Sequence, residues 1–370
     1  MKNLTTGLII VILIINGCIL QHEKTIHVKI DRNVETLFIL YSVVDVGIPP
    51  LDNTIWKFSE KEFREYKQHE AVRLLDTMIS RSGIDGPVRL IHHFTQVPKV
   101  KQKYPIDSTL LKAFSSKDNA IDGQIIVDEF IRAFSDFYID ADVDAFIGNY
   151  EEYYYKALED VKKNLPPDDF ITIMEQYYGK GNKAYILNPS PAQYPYWGFG
   201  SRVKVENELI IINTFGALNE LTGDSLEIHY DFDNSYEIRE LSVHEFGHSF
   251  INPVTELDEV RAIIEEYSYL FDPIKDHMSR IAYREWATCV TEHIVRLGEI
   301  RIAYAMNDSL SAERIRIQNV EDGKFIYLPF LEKTILEYEM NRDTYRSIDD
   351  FIPKLIRDTF SKIDTSKIEL

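Results

Sequence analysis

The chain has 370 residues, which is long enough for one large domain or two modest ones. Hydrophobic residues make up 45% of the sequence, so the chain can bury a substantial core. Its formal net charge of −19 argues against nucleic acid as a partner and against adsorption to an anionic lipid surface, because both would repel it.

The first residues have the pattern of an export signal. Lys2 supplies a positive charge, and Leu8 to Ile15 form an unbroken apolar run that is too short to cross a bilayer. The following Ile15-Asn-Gly-Cys18 resembles a bacterial lipobox. We therefore predict that residues 1–17 are a lipoprotein signal peptide, with an ordinary secretory signal as the alternative.

That interpretation places a lipid on the Cys18 sulfur. Residues 18–26 would then be a tether, and the protein would be an exported bacterial lipoprotein anchored in the outer membrane, facing either the periplasm or the outside. Cys289 is the second of only two cysteines, so acylation of Cys18 would exclude an internal disulfide.

The N-terminal half reads as mainly helical. The β-branched and apolar residues between 25 and 45 predict strands, and Ser59 with Glu62 forms a capping-box pattern that predicts a helix reaching about Ser80. Further helical patterns follow, and residues 27–179 are therefore predicted as an N-terminal helical region. These helical patterns cover residues 106–116, 124–138, 150–164 and 167–178.

The pattern changes after Gly179. Residues 184–200 predict a strand and an irregular aromatic loop, and three more strands follow over 203–205, 208–215 and 225–232, with a turn at Glu206-Asn207 joining the first two. Asn234 or Ser235 is expected to cap the next helix, and Asn252-Pro253 to end it.

The rest of the chain is predicted as helices over 256–270, 273–305, 326–341 and 348–361. Helices, a small sheet and further helices in this order predict an α+β fold, mostly helical, whose sheet precedes the central helix. Residues 180–370 would be the catalytic region, either separate from residues 27–179 or continuous with them.

The central helix carries the sequence His244-Glu245-Phe-Gly-His248. The two histidines are four residues apart, so on a helix both imidazoles project from one face and can bind one Zn²⁺. Glu245 would lie beside the open coordination position, where it can take a proton from a zinc-bound water. The alternative is a surface helix with two incidental histidines.

A catalytic zinc needs a third protein ligand. We expect Glu292, because it lies in a largely uncharged stretch where a carboxylate requires a partner, and Arg296 could steady it from one turn away. Glu285 and Glu266 are the alternatives, although Glu266 lies in a charge-rich helix.

The motif and a later glutamate ligand resemble the gluzincin group of zinc metallopeptidases. The longer text, from His244 to Pro253 and from Trp286 to Arg296, is similar to an uncharacterised family of bacterial lipoproteins described as metallopeptidases, over roughly residues 180–305. This resemblance implies a zincin-like catalytic region and a peptide or protein substrate. The competing hypothesis is a lipid-anchored binding protein whose motif is inactive or fortuitous.

Other candidate sites are weaker. Asp140, Asp142 and Asp144 match part of a calcium loop, but Ala145 stands where the turn needs glycine, and an acidic surface turn is expected instead. His92 and His93 are expected to be structural.

Several groups could stabilise a developing oxyanion, and the sequence does not choose among them. These candidates are Tyr194, Tyr196, His229, Tyr230 and Tyr304. A strand that precedes the motif helix could also hold an extended peptide by main-chain pairing.

Overall fold

The computed structural model describes residues 24–44, 54–222 and 228–364. The predicted signal peptide over residues 1–17 and Cys18, the predicted site of the lipid, lie outside these ranges, as does most of the predicted tether. The fold is α+β and mostly helical, with a small mixed sheet, as the order of the predicted elements indicated.

The first helix corrects a prediction. The chain forms a short strand β1 (Ile26–Val28) and then helix α1 (Arg32–Tyr41), where strand structure was expected through residue 45. Asp31 caps α1 by accepting a hydrogen bond from the Asn33 N–H, and every residue from Asn33 to Tyr41 is buried. Because the helix is buried on all sides, it lacks the polar face that distinguishes a helix from a strand in a sequence.

Further helices follow α1 in the N-terminal half, and α2, α3 and α4 pack against it. The predicted capping box at Ser59 is wrong, because Ser59 lies inside α2 and donates to the Ile55 carbonyl, and a 3₁₀ turn over Phe63–Gln68 separates α2 from α3. These helices are α2 (Thr54–Glu62), α3 (Glu70–Ser82), α4 (Asp85–Ile91), α5 (Ser108–Phe114), α6 (Ala120–Asp140), α7 (Val143–Asn149), α8 (Glu151–Lys163) and α9 (Phe170–Tyr178).

Four strands form the mixed sheet in the order β1-β2-β4-β3. The added strands are β2 (Ala184–Pro189), β3 (Gly198–Val205) and β4 (Glu208–Phe215). β1 and β4 run parallel to β2, whereas β3 pairs antiparallel with β4 through the predicted turn at 206–207. β3 begins five residues earlier than expected and is an edge strand. A separate hairpin contains β5 (Asn219–Thr222) and β6 (Ile228–Asp231).

The motif helix is α10 (Ser235–Thr255), and Asn234 caps it through a 3.0 Å bond from the Glu237 N–H to Asn234 Oδ1. The predicted end at Pro253 is wrong by two residues. Proline at this position removes only one hydrogen bond of the last turn, and the Glu256 N–H still reaches the Asn252 carbonyl at 2.9 Å.

The predicted long helix over 273–305 is two helices. α12 (Lys275–Arg280) and α13 (Trp286–Ala305) are separated by a bend in which Ala282 has φ of 77°. The Trp286 indole N–H donates to the Ile264 carbonyl at 2.8 Å, which fixes the start of α13. The remaining helices are α11 (Asp258–Glu265), α14 (Ser309–Ile317), α15 (Leu328–Met340) and α16 (Ile348–Phe360).

Two hydrophobic cores meet near residue 155. One contains α1 to α7 and Tyr154, together with Ala192 and Tyr194 of the aromatic loop. The other contains α9, the sheet and all helices after it. Helix α9 was predicted as part of the N-terminal region but packs in the core of the motif half. The aromatic loop comes after α9 in the chain, yet it packs in the core of the N-terminal half. The two halves are therefore interlocked rather than joined by a linker.

No helix in the described ranges is long and apolar enough to cross a membrane.

The carboxyl group of Glu35 allows its burial in the first core to be tested. Its carboxyl is completely buried on α1, accepts one bond from the Ala192 N–H at 3.2 Å, and burial raises its pKa to about 8. The pKa of Glu35 in the folded state lies above its usual value, so the contribution of Glu35 to stability is fully present below pH 4.5 and is lost as pH rises through 8.

We predict that Glu35→Gln removes this pH dependence. Between pH 5 and pH 9 the wild-type protein should lose about 3 to 5 kcal/mol of unfolding free energy relative to the Gln variant. Urea denaturation at several pH values measures the difference. Parallel stability curves for the two proteins would contradict the prediction.

Candidate metal centre

Helices α10 and α13 pack side by side, and this contact brings the motif to Glu292. Gly247, inside the motif, faces α13, where a Cβ would lie 3.5 Å from Val295 Cγ1. One end of the helix pair is joined by a 3.0 Å bond from the Thr291 hydroxyl to the Thr255 hydroxyl. Small side chains at this contact let the two helices approach closely enough for their polar groups to meet.

Three side chains converge between these helices: His244, His248 and Glu292. The two Nε2 atoms are 3.2 Å apart. Glu292 Oε1 lies 3.3 Å from His248 Nε2, and Glu292 Oε2 lies 3.8 Å from His244 Nε2. Within the described ranges, no other group of histidine, cysteine and carboxylate side chains could hold a metal ion.

The far side of each imidazole contacts a hydrogen-bond acceptor. His244 Nδ1 lies 2.6 Å from Glu299 Oε1, and His248 Nδ1 lies 3.0 Å from Asn252 Oδ1. A carboxylate and an amide oxygen can only accept, so each Nδ1 carries the proton and each Nε2 presents a lone pair. Two lone pairs that face each other at this distance repel unless a proton or a metal cation lies between them.

The charges agree with a cation site. Burial lowers the pKa of His248, but the hydrogen bond and charge of Glu292 outweigh burial and raise it to about 9. Burial alone would raise the pKa of Glu292. The hydrogen bond with His248 outweighs burial and lowers the pKa of Glu292 to about 2. Glu292 Oε2 is buried and has no hydrogen-bond partner among the described residues. Two imidazole nitrogens and one carboxylate are a donor set that fits zinc.

A second layer of polar residues holds these ligands in place. Glu299 Oε2 accepts a 3.0 Å bond from Asn319 Nδ2, and Asn319 Oδ1 accepts a 2.8 Å bond from Arg296. The Arg296 guanidinium lies 4.0 Å from Glu292 Oε2 and 4.3 Å from the centre of the Phe325 ring. Arg296 thus contacts Glu292 as the sequence indicated, although it also bonds to Asn319.

The two alternative third ligands lie elsewhere. Glu285 is exposed at the N-cap of α13, and Glu266 is exposed just after α11. Neither belongs to the cluster that surrounds the two histidines. The bend before α13 explains the position of Glu285, because a residue outside the helix does not share the face on which Glu292 lies.

The Glu245 side chain lies against the edge strand β3. Its carboxylate adjoins the backbone of β3 at Gly198 and Gly200. The negative charge of Glu245 also helps to raise the pKa of His248, although less than the contacts of Glu292 do. The Glu245 carboxylate is therefore close to the two histidines. The motif helix and the edge strand therefore enclose Glu245 between them.

The residues that the sequence offered for stabilising an oxyanion lie in different surroundings. Tyr194 is buried in the first core and packs against Trp56 with ring centres 4.6 Å apart, and the Tyr304 hydroxyl accepts a 3.0 Å hydrogen bond from Arg316. Tyr196 is 58% exposed in the aromatic loop, beside β3. The side chains of His229 and Tyr230 lie outside the described part of the chain.

The remaining sequence candidates have structural partners. His92 Nε2 meets the Thr214 hydroxyl at 3.2 Å, and His93 Nδ1 meets the Pro105 carbonyl at 2.8 Å, both deep in the protein. Asp144 binds the Arg32 guanidinium and accepts a 2.7 Å bond from the Tyr138 hydroxyl. These contacts account for the positions of His92, His93 and Asp144 without a bound ligand.

Several residues around the centre were missed from the sequence. Asn252 is four residues after His248 on the same helix, and Glu299 is seven residues after Glu292, so helical spacing alone could have indicated both. Asn319 lies in a one-turn π-helix, and Tyr283 lies in the bend before α13, where its hydroxyl is 3.4 Å from Arg296. No sequence spacing indicates either of these two.

Comparisons with known proteins assign the chain to a family. It belongs to the family described as a domain of unknown function (DUF4932), whose profile matches residues 51–358. No curated protein matches the chain. No solved structure matches it either.

Glu292 can be tested against the alternatives. Glu292→Gln removes the anionic ligand, so we expect zinc content to fall from one ion per chain toward zero, with affinity lower by about 100-fold or more. Glu285→Gln and Glu266→Gln are matched controls and should keep the ion. Elemental analysis after dialysis measures all three. Retention of zinc by the Glu292 variant would remove that residue from the site.

Metal binding should also depend on pH. In the metal-free protein His248 holds a proton up to pH 9, and zinc must displace it. We expect the dissociation constant for zinc to fall about tenfold per pH unit between pH 6.5 and 9, and to level off above 9. Competition with a chelating dye measures this, after correction for the dye's own protonation. A constant affinity across the range would contradict it.

Proposed function

We propose that the protein is a zinc-dependent hydrolase, specifically a metallopeptidase. One observation carries the proposal: two imidazoles are oriented from behind so that both Nε2 lone pairs face the same point as the buried Glu292 carboxylate. Such an arrangement costs free energy in a metal-free protein and becomes favourable around a divalent cation. His244, His248 and Glu292 would hold the ion.

The arrangement of the surrounding elements supports a zincin-like fold of the gluzincin type. The motif helix follows a small sheet whose edge strand β3 passes over it, and the third ligand comes from a later helix. β3 pairs on one side only, so its other edge can bind an extended peptide by main-chain hydrogen bonds. A peptide or protein substrate follows from that edge.

The chain's own groups would divide the chemical work. Zinc, when bound, would act as a Lewis acid toward the scissile carbonyl and the attacking water. Glu245 would take a proton from that water and deliver it to the leaving amine. Glu299 and Asn252 would keep the imidazoles in the tautomer that can bind the metal, and Arg296 would hold Glu292 ionised.

The location of the enzyme follows from the N-terminal sequence. A lipid on Cys18 would tether the catalytic region to the outer membrane, so its substrates would be peptides or proteins of the cell envelope or its surroundings. The alternative, a lipid-anchored binding protein with an inactive motif, shares this location but predicts no turnover.

Two substitutions in the motif separate binding from catalysis. Glu245→Gln keeps the shape of the side chain but removes the base, so we expect one zinc per chain and a loss of peptidase activity of at least about 10³-fold. His244→Ala should lose both metal and activity. A peptide-library digest with zinc analysis measures both.

Two outcomes would count against the proposal. A Glu245→Gln variant as active as the wild type would show that Glu245 is not the base. A wild-type protein that binds zinc but cleaves no peptide in the library would favour the binding-protein alternative.

A further inference from the structure

The surroundings of Glu245 contain a feature that the metal ligands do not explain. Its carboxylate accepts no hydrogen bond from the described residues, although the side chain is partly buried between α10 and β3. A general base that has no partner samples several rotamers, and misplacement by about 1 Å can cost 10²-fold in rate. The position of Glu245 therefore has to be restricted by the surface that it lies against and by groups that reach it in another state of the site.

Two glycines on β3 supply the space that Glu245 occupies. A Cβ at Gly200 would lie 2.6 Å from Glu245 Oε2, and a Cβ at Gly198 would lie 3.1 Å from Glu245 Oε1. Each carboxylate oxygen therefore lies where a β3 side chain would otherwise be. The glycines alternate with Phe199, whose ring packs on the other face of the sheet, in the first core.

Asn213 on β4 faces the same space. It is the cross-strand partner of Gly200, so both residues point to one face of the sheet. Asn213 is completely buried, and neither Nδ2 nor Oδ1 has a hydrogen-bond partner in the described part of the chain. Its Oδ1 lies 3.6 Å from the Cβ position of Gly198, the same point that Glu245 Oε1 approaches.

We propose that Gly198, Gly200 and Asn213 form a carboxylate cradle that positions Glu245, with Asn213 as its hydrogen-bond donor. Because glycine has no side chain, Gly198 and Gly200 leave room for the carboxylate to lie flat against the strand. No direct bond joins the two side chains in the described structure, so Asn213 Nδ2 would donate to the carboxylate through one water molecule in the space beside Gly198. Asn213 is thus a positioning residue, because it acts on Glu245 and does not touch the reacting atoms.

The unpaired side-chain amide of Asn213 is better explained by a functional role than by a contribution to stability. A buried polar group without a partner destabilises a fold, and an apolar residue of similar shape removes that cost. Retention of asparagine at such a position is expected when the amide acts in another state of the site. The catalytic part of this inference rests on the proposed function, whereas the contact between Glu245 and the glycines does not.

The first experiment measures that contact without any activity assay. Gly200→Ala is made in full-length protein and in the Glu245→Ala background, and thermal unfolding is recorded for each. The new methyl group collides with Glu245 only when the carboxylate is present. We expect Gly200→Ala to lower the midpoint by about 2 to 5 °C more in the wild type than in the Glu245→Ala background.

Gly148→Ala is the matched control, because a Cβ at Gly148 meets nothing within 4 Å. Its effect should be the same in both backgrounds. Equal effects of Gly200→Ala in both backgrounds would overturn the cradle, even if the protein proves to be an active peptidase.

The second experiment compares Asn213→Val with Asn213→Thr, which have the same shape and differ by one hydroxyl. We expect the Val variant to unfold about 2 to 5 °C above the wild type, to keep one zinc per chain, and to lose at least about tenfold in kcat with KM nearly unchanged. The Thr variant should recover part of the lost kcat, because its hydroxyl can donate.

Each other outcome is decisive. A Val variant that unfolds at a lower temperature and keeps its kcat would assign Asn213 a structural role and overturn the proposal. A Thr variant no better than Val would exclude hydrogen bonding as its contribution. If the wild type cleaves nothing, the proposed function fails, while the Gly200 comparison still tests the cradle.

Discussion

The metal centre depends on the orientation of two imidazole rings by the acceptors behind them. Glu299 and Asn252 bind the Nδ1 atoms of His244 and His248, so both Nε2 lone pairs face each other at 3.2 Å. In the metal-free protein Glu292 favours a proton on His248, which stabilises this geometry. If the proposed zinc site is correct, a proton and a zinc ion compete for the same point in the molecule.

The fold brings three elements to this point for different reasons. Helix α10 carries the histidines, α13 carries Glu292, Arg296 and Glu299 along one face, and β3 closes the side occupied by Glu245. The helices contribute rigid ligands, because their rotamers are fixed by packing and by second hydrogen bonds. The edge strand contributes an unpaired backbone edge, to which a peptide substrate could pair, and two glycines against which the Glu245 carboxylate lies.

Much of the centre could be predicted because it depends on local spacing. The i, i+4 histidines, the neighbouring Glu245 and a carboxylate in an uncharged stretch at Glu292 all follow from the sequence and helical geometry. The errors arose where burial or long-range contacts overrode local pattern. α1 is buried on all sides and so resembled a strand, and the start of α13 is fixed by Trp286 bonding to Ile264, twenty-two residues away.

Local sequence pattern was enough to predict the mostly helical α+β class, the motif proposed to bind a metal and the residue proposed as the base. Contacts between distant elements place Glu292, rather than Glu285 or Glu266, beside the histidines and supply the residues that orient the imidazoles. The same kind of contact places the β3 glycines against Glu245, with Asn213 on the same face of the sheet. Spacing along one helix is set by local hydrogen bonds, whereas Glu292, Asn319 and Asn213 reach the site through packing between elements far apart in the chain.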